Sequence, residues 1–201
     1  MNFTKERLNV MGIMMRMSID RASRALSKSL RTGAKITLSR LYVSNFDETT
    51  EKMNDDVREM TSVMVDCVGN VGCKLLFMLP LEGSLIVTDL FLRQPKGTSK
   101  EYDIFTESAV QEIGNILASH ICNALVSDFS AVVTPEPPVV HNDFAGIIFT
   151  NLVMEQGLKD DKILLLETTF EICGHELECY LFLVPEMTSF EKLLESIGVD
   201  R

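Results

Sequence analysis

The chain has 201 residues, 46% of them hydrophobic and 24% charged, which is ordinary globular composition with length enough for a sizeable core. A formal charge of −10 argues against a nucleic-acid binder, which usually carries a basic stripe. It suits solubility and is compatible with a basic protein partner. No run reaches the roughly 18 apolar residues of a membrane span, and Met1-Asn2-Phe3-Thr4-Lys5-Glu6 shows no signal-peptide pattern, so a cytoplasmic protein is expected.

In chain order, a long amphipathic helix is expected from about Lys5 to Leu30, then a strand near Lys35–Val43 and a helix near Thr49–Arg58. Ser62–Val68 and Gly72–Leu79 read as a hairpin turning at Gly69-Asn70, followed by a helix over Leu81–Leu92. Arg93 to Lys100 carries Pro, Gly and charge, and reads as a connector. A second long helix follows near Thr106–Val126, then a strand at Ala131–Thr134 and a helix near Asp143–Gln156. Ile163–Ile172 and Glu176–Val184 form a second hairpin turning at Gly174-His175, and a short helix over Ser189–Ile197 ends the chain.

This order says the same thing twice. Cys67-x5-Cys73 recurs as Cys173-x5-Cys179, an offset of 106. Leu76-Phe77-Met78-Leu79-Pro80 recurs as Leu181-Phe182-Leu183-Val184-Pro185, an offset of 105. Leu8, Met11, Gly12 and Met14 match Val110, Ile113, Gly114 and Ile116, an offset of 102. We therefore expect one domain over 1–201 built of two repeats, about 1–99 and about 100–201. The fold class is α+β, with a pseudo-twofold pair of units sharing a largely antiparallel sheet of about six strands. Two long helices pack on one face of that sheet.

The candidate site lies on the second long helix. Ser108, Glu112 and Asn115 fall within roughly a 60° arc, while Val110, Ile113, Leu117, Ile121 and Ala124 line the opposite side. The apolar face is committed to packing and the polar one faces out. Pro138, in Pro135-Glu136-Pro137-Pro138, shapes a rigid loop. His120, at the edge of the apolar face, reads as a packing residue. Cys67, Cys73, Cys122, Cys173 and Cys179 are odd in number and lack C-x-x-C spacing, so they read as small buried hydrophobes rather than disulfides or a zinc site. No metal ligand set is expected on this chain.

The run Glu107-Ser108-Ala109-Val110-Gln111-Glu112-Ile113-Gly114-Asn115-Ile116-Leu117-Ala118 resembles the CheC family of chemotaxis phosphatases. That family's signature is Asp or Ser, three residues, Glu, two residues, Asn, twenty-two residues, Pro. Ser108, Glu112, Asn115 and Pro138 fit every spacing. The stretches Leu164–Phe170 and Phe190–Gly198 are also similar to it. The resemblance implies a duplicated α+β unit and a phosphatase acting on the aspartyl-phosphate of the response regulator CheY. Glu112 and Asn115 would be its catalytic pair, with Ser108 and Pro138 in support. It also implies a divalent metal (Mg) on the CheY partner and a possible contact with the receptor deamidase CheD. The alternative is a non-catalytic adaptor that binds CheD or a motor component.

Family members with two sites carry the Glu/Asn pair on both long helices. Here an offset of 102 sets Glu6, Val10 and Ile13 opposite Ser108, Glu112 and Asn115, with Met17 opposite Ser119. Val10 and Ile13 neither donate, accept nor bear charge, so the first site is expected to be degenerate. Two arrangements suit this apolar stripe. Either it lies on the surface, covered by a second copy, a partner or the chain's own N-terminal residues, or a shifted helix register buries it.

Overall fold

The computed structural model describes residues 4–129, 131–156 and 162–186, with Thr188, Ser189, Lys192 and Glu195 beyond them. The helix expected over Ser189–Ile197 therefore falls for the most part outside the described residues.

The helix α1 (Lys5–Leu30) begins where Thr4 accepts the Arg7 N–H at 3.2 Å and ends on Arg31 in the left-handed region, φ 55°. Then come β1 (Ala34–Asn45), α2 (Phe46–Asp55), β2 (Glu59–Gly69), β3 (Cys73–Pro80) and α3 (Leu81–Phe91). The second part runs α4 (Ile104–Phe129), β4 (Val133–Pro135), β5 (Val139–Phe144), α5 (Ala145–Gln156), β6 (Lys162–Ile172) and β7 (His175–Pro185). Between β6 and β7 the chain turns on Cys173 and Gly174, at φ 51° and 77°. Two consecutive positive φ values are what a two-residue hairpin turn requires, and they put His175 at the start of the strand rather than in the turn.

All pairings are antiparallel, in the order β1-β6-β7-β3-β2-β4, with β5 also paired to β2. The sheet thus has seven strands, and β5 is the extra one. Residues 143 and 144, expected to open a helix, belong to β5. The two hairpins meet along β3 and β7, from Cys73 opposite Pro185 to Met78 opposite Tyr180.

Both faces of the sheet are covered. Val63, Val65, Leu75, Phe77, Leu164, Leu166, Leu181 and Leu183 point into one core with α1, α3 and α4. Met60, Met64, Leu76, Met78, Leu165 and Phe182 point into a second core beneath α2 and α5. This double burial is why the strands read as continuous apolar runs such as Leu75-Leu76-Phe77-Met78-Leu79 rather than as alternation.

The edge strand β1 is closed by its own helix. Ser23 Oγ accepts the Ile36 N–H at 2.9 Å, and its single proton is shared between the Ile19 carbonyl at 2.8 Å and the Ile36 carbonyl at 3.2 Å. Ser27 Oγ accepts the Ala34 N–H at 3.0 Å and donates to the Ala34 carbonyl at 2.6 Å. Two serines one turn apart thereby occupy edge groups that would otherwise invite another strand. Among the described residues no helix is long and apolar enough to cross a membrane.

Candidate functional site

Helix α4 starts at an Asp103 cap. One carboxylate oxygen accepts from the Phe105 N–H at 3.0 Å, the Thr106 N–H at 2.9 Å and the Thr106 hydroxyl at 3.1 Å. The cap starts the helix at Ile104, two residues before the expected Thr106. From there Val110, Ile113, Leu117, Ile121 and Ala124 are all buried, as their spacing required.

Gly114 decides how close this helix lies to the sheet. A Cβ built there would come within 2.3 Å of Val63 Cγ2 on β2. Only glycine permits that approach, and it lies between Glu112 and Asn115 in the chain. The stretch bearing the candidate pair is therefore held directly on a core strand.

The opposite side of α4 carries the predicted residues. Ser108 and Asn115 are exposed and Glu112 is half-buried. Ser108 turns its hydroxyl back to donate to the Ile104 carbonyl at 2.9 Å. Among the described residues Glu112 and Asn115 have no side-chain hydrogen bond or ion pair within the chain. Pro138 is buried beside the helix, and its carbonyl accepts from Gln111 Nε2 at 3.1 Å. Gln111 is a neighbour of the candidate residues that sequence reading missed. It ties the proline loop to the turn that carries Glu112, and only its place in the motif run hinted at it.

Ser108, Glu112 and Asn115 lie along the outward side of one helix. A cavity of about 460 Å³ lined by Leu92, Thr98, Lys100, Glu101, Asp103 and Phe105 lies at the start of α4. Another, about 340 Å³, lies on the other side of the sheet near Lys52, Glu167 and Tyr180. Its Lys52 pairs with its Glu167 at 2.5 Å, and Arg58 and Asp56 pair nearby at 2.6 Å, with Asp56 accepting from the Tyr180 hydroxyl. Among the described residues no group of three or more His, Cys, Asp or Glu is placed to hold a metal ion.

Four of the five cysteines are buried, as read. Cys173 is exposed, a correction with a simple cause: it occupies the left-handed first position of the β6–β7 turn. Cys122 lies on the buried side of α4, where its Cys67 neighbour and burial push its thiol up from the usual range. His120 is half-buried, and burial together with Arg21 and Arg24 of α1 holds its pKa below the ordinary value.

The matching positions on α1 are also at the surface. Glu6 is exposed, Val10 is half-buried, and Ile13 and Met17 are 54% and 46% exposed. The shifted register that would bury this stripe is not what the chain adopts. Instead Met11, Met14, Met15 and Ile19 fill the core and leave Ile13 and Met17 outside.

A model of the CheC-like family matches residues 105–141, the span that holds Ser108, Glu112, Asn115 and Pro138. The chain is similar to the CheY-P phosphatase CheC of Bacillus subtilis (strain 168), at 25% identity over 163 residues, 77% of this chain and 76% of that protein. Among solved structures it resembles FliY of Thermotoga maritima, with TM-score 0.79 and 17% identity over the whole of both chains. It also resembles the FliM middle domain of H. pylori (TM-score 0.70, 12% identity, 96% of this chain and 99% of that one). The chemotaxis protein CheX of Desulfovibrio desulfuricans shares the fold as well (TM-score 0.58, 14% identity, 87% and 99%).

Proposed function

We propose that this CheC-like chain, a chemotaxis protein by its relatives, accelerates hydrolysis of the aspartyl-phosphate of a CheY-type response regulator. The observation that carries the reading is the state of Glu112 and Asn115. Both leave a rigidly seated helix and, among the described residues, neither side chain has a partner.

An acyl phosphate is already activated, and the regulator brings the phosphorylated Asp and a divalent metal, Mg in this reading. A helper need only place a water in line with the phosphorus. A carboxamide both donates and accepts, so Asn115 orients that water. Glu112, a turn away, pairs with a lysine on the regulator and fixes the register by a charge-assisted contact. Ser108 keeps its hydroxyl on its own helix and acts as a spacer rather than a donor to the partner. Pro138, through Gln111, braces the turn that bears Glu112. The chemistry asks for no nucleophile or metal ligand on this chain. The same reading takes the chain as one domain of two repeats, about 1–99 and 100–201, working in the cytoplasm with one intact site and a degenerate one at Glu6, Val10 and Ile13.

The second reading is an adaptor that binds a motor component or CheD without catalysis. The fold shared with FliY and FliM supports it, at identities that speak for fold alone. Release of phosphate from phosphorylated CheY of the same organism separates the two. The phosphatase reading requires acceleration that Asn115→Ala abolishes; no acceleration, or equal acceleration by Asn115→Ala, leaves the adaptor.

A further inference from the structure

The start of α4 exposes two large apolar side chains for which the fold has no use. Ile104 is 71% exposed and Phe105 55% exposed, while the next residue, Thr106, is fully buried. Ile104 is four residues before Ser108 and eleven before Asn115, so it stands on the candidate stripe. Phe105, seven before Glu112, stands at its flank. The Asp103 cap holds both in place by accepting the Phe105 and Thr106 amides. Isolated exposed apolar residues are common. An adjacent pair, preset by a cap and continuous with an outward polar stripe, has the form of a binding anchor: little ordering is needed when it is covered.

The surroundings state what covers it. From Lys100 to Ser119 the chain has four acidic residues, Glu101, Asp103, Glu107 and Glu112, against one basic residue, Lys100, which lines the cavity beside Phe105. Glu101, Asp103 and Glu107 are exposed around the pair. The complementary surface is an apolar spot rimmed by basic side chains.

We infer that Ile104 and Phe105 are the apolar anchor that seats the response regulator on α4, with the acidic rim steering its approach. The inference takes its partner from the phosphatase reading, and it divides the labour along the helix. Ile104 and Phe105 set affinity, Glu112 fixes the register through the regulator's lysine, and Asn115 orients the water that attacks the phosphoryl group.

The test is a titration with the CheY-type regulator of the same organism, activated by Mg²⁺ and beryllofluoride. The double variant Ile104→Ser, Phe105→Ser is expected to weaken binding roughly tenfold. Ile104→Val with Phe105→Leu should stay within about twofold, and so should Asn115→Ala, although the latter loses phosphate release. Salt should slow association of the parent chain. The single serine variants, each expected to weaken binding about threefold, carry the same reading if the double variant does not fold. A folded serine variant that binds as tightly as the parent overturns the anchor, and so does a parent chain that does not bind the activated regulator. A parent chain that binds through the anchor but releases no phosphate overturns the phosphatase reading and leaves the anchor standing.

Discussion

Helices α1 and α4 are both 26 residues long, lie against the same face of the sheet, and bury one apolar side in a shared core. Their outer sides differ. On α4 it presents Ser108, Glu112, Asn115 and Ser119; the matched positions of α1 are Glu6, Val10, Ile13 and Met17. Their seating differs too. A Cβ at Gly114 would collide with Val63, whereas one at Gly12 would meet nothing within 4 Å. The inward side of each helix answers to packing and is similar in kind. The outward side is released from packing, so it is where two helices of one fold can differ in chemistry.

The largest test of that division is a matched pair of truncations. Ile113→Ala removes a fully buried side chain and should cost about 2–5 kcal/mol in urea unfolding. Ile13→Ala, at a half-exposed position, should change stability by no more than about 0.5 kcal/mol. A large loss at Ile13 would mean that the α1 stripe is covered after all.

Next comes activity. Asn115→Ala is expected to lower the acceleration of phosphate release about 100-fold, because a water displaced from the line of attack loses most of its benefit. Thermal unfolding should stay within a degree or two of the parent. A fall in activity that tracks lost stability would assign Asn115 to structure.

The two glycines should then answer with opposite signs. Gly114→Ala forces Val63 or the helix to shift and is expected to cost about 1–3 kcal/mol, with activity lowered as Glu112 and Asn115 move with the backbone. Gly12→Ala has open space and a helical backbone, so it should stabilise by about 0.5–1 kcal/mol. Equal signs would remove the difference in seating.

These contrasts also mark what could be read without coordinates. The α1 limits were legible because the amphipathic spacing runs unbroken to Leu30. The α4 start was not. Ile104 and Phe105 are apolar but face out, so periodicity assigned them to no element, and the capping role of Asp103 went unread. Strand β5 was missed because Val139-Val140-His141-Asn142-Asp143-Phe144 is partly exposed along its length and lacks clean alternation; pairing with β2 makes it a strand. In the site, Ser108, Glu112, Asn115 and Pro138 were legible from spacing. The Gln111–Pro138 bond was not, since it joins residues 27 apart through the fold. Whether the α1 stripe was inside or outside was likewise undecidable from a helix rich in methionine on several sides, because Met11 and Met17 look alike until the sheet chooses between them.

The smallest expected effect lies in the seam between the two helices. His120 of α4 is half-buried, and burial, with Arg21 and Arg24 of α1, lowers its pKa below the ordinary 6.5. A histidine with a depressed native pKa resists a proton that the unfolded chain accepts. The unfolded state therefore binds more protons just below pH 6.5, and stability rises with pH through that window and levels off above it. Urea midpoints measured from pH 5.5 to 7.5 should climb, and His120→Gln, which cannot titrate, should flatten the climb. The carboxylates held low by their partners, Asp56 beside Arg58 and Glu167 beside Lys52, act in a separate window below their ordinary values near 4. An unchanged slope in His120→Gln would place the pH dependence outside the α1–α4 seam, and with it the idea that the two helices are coupled through this residue.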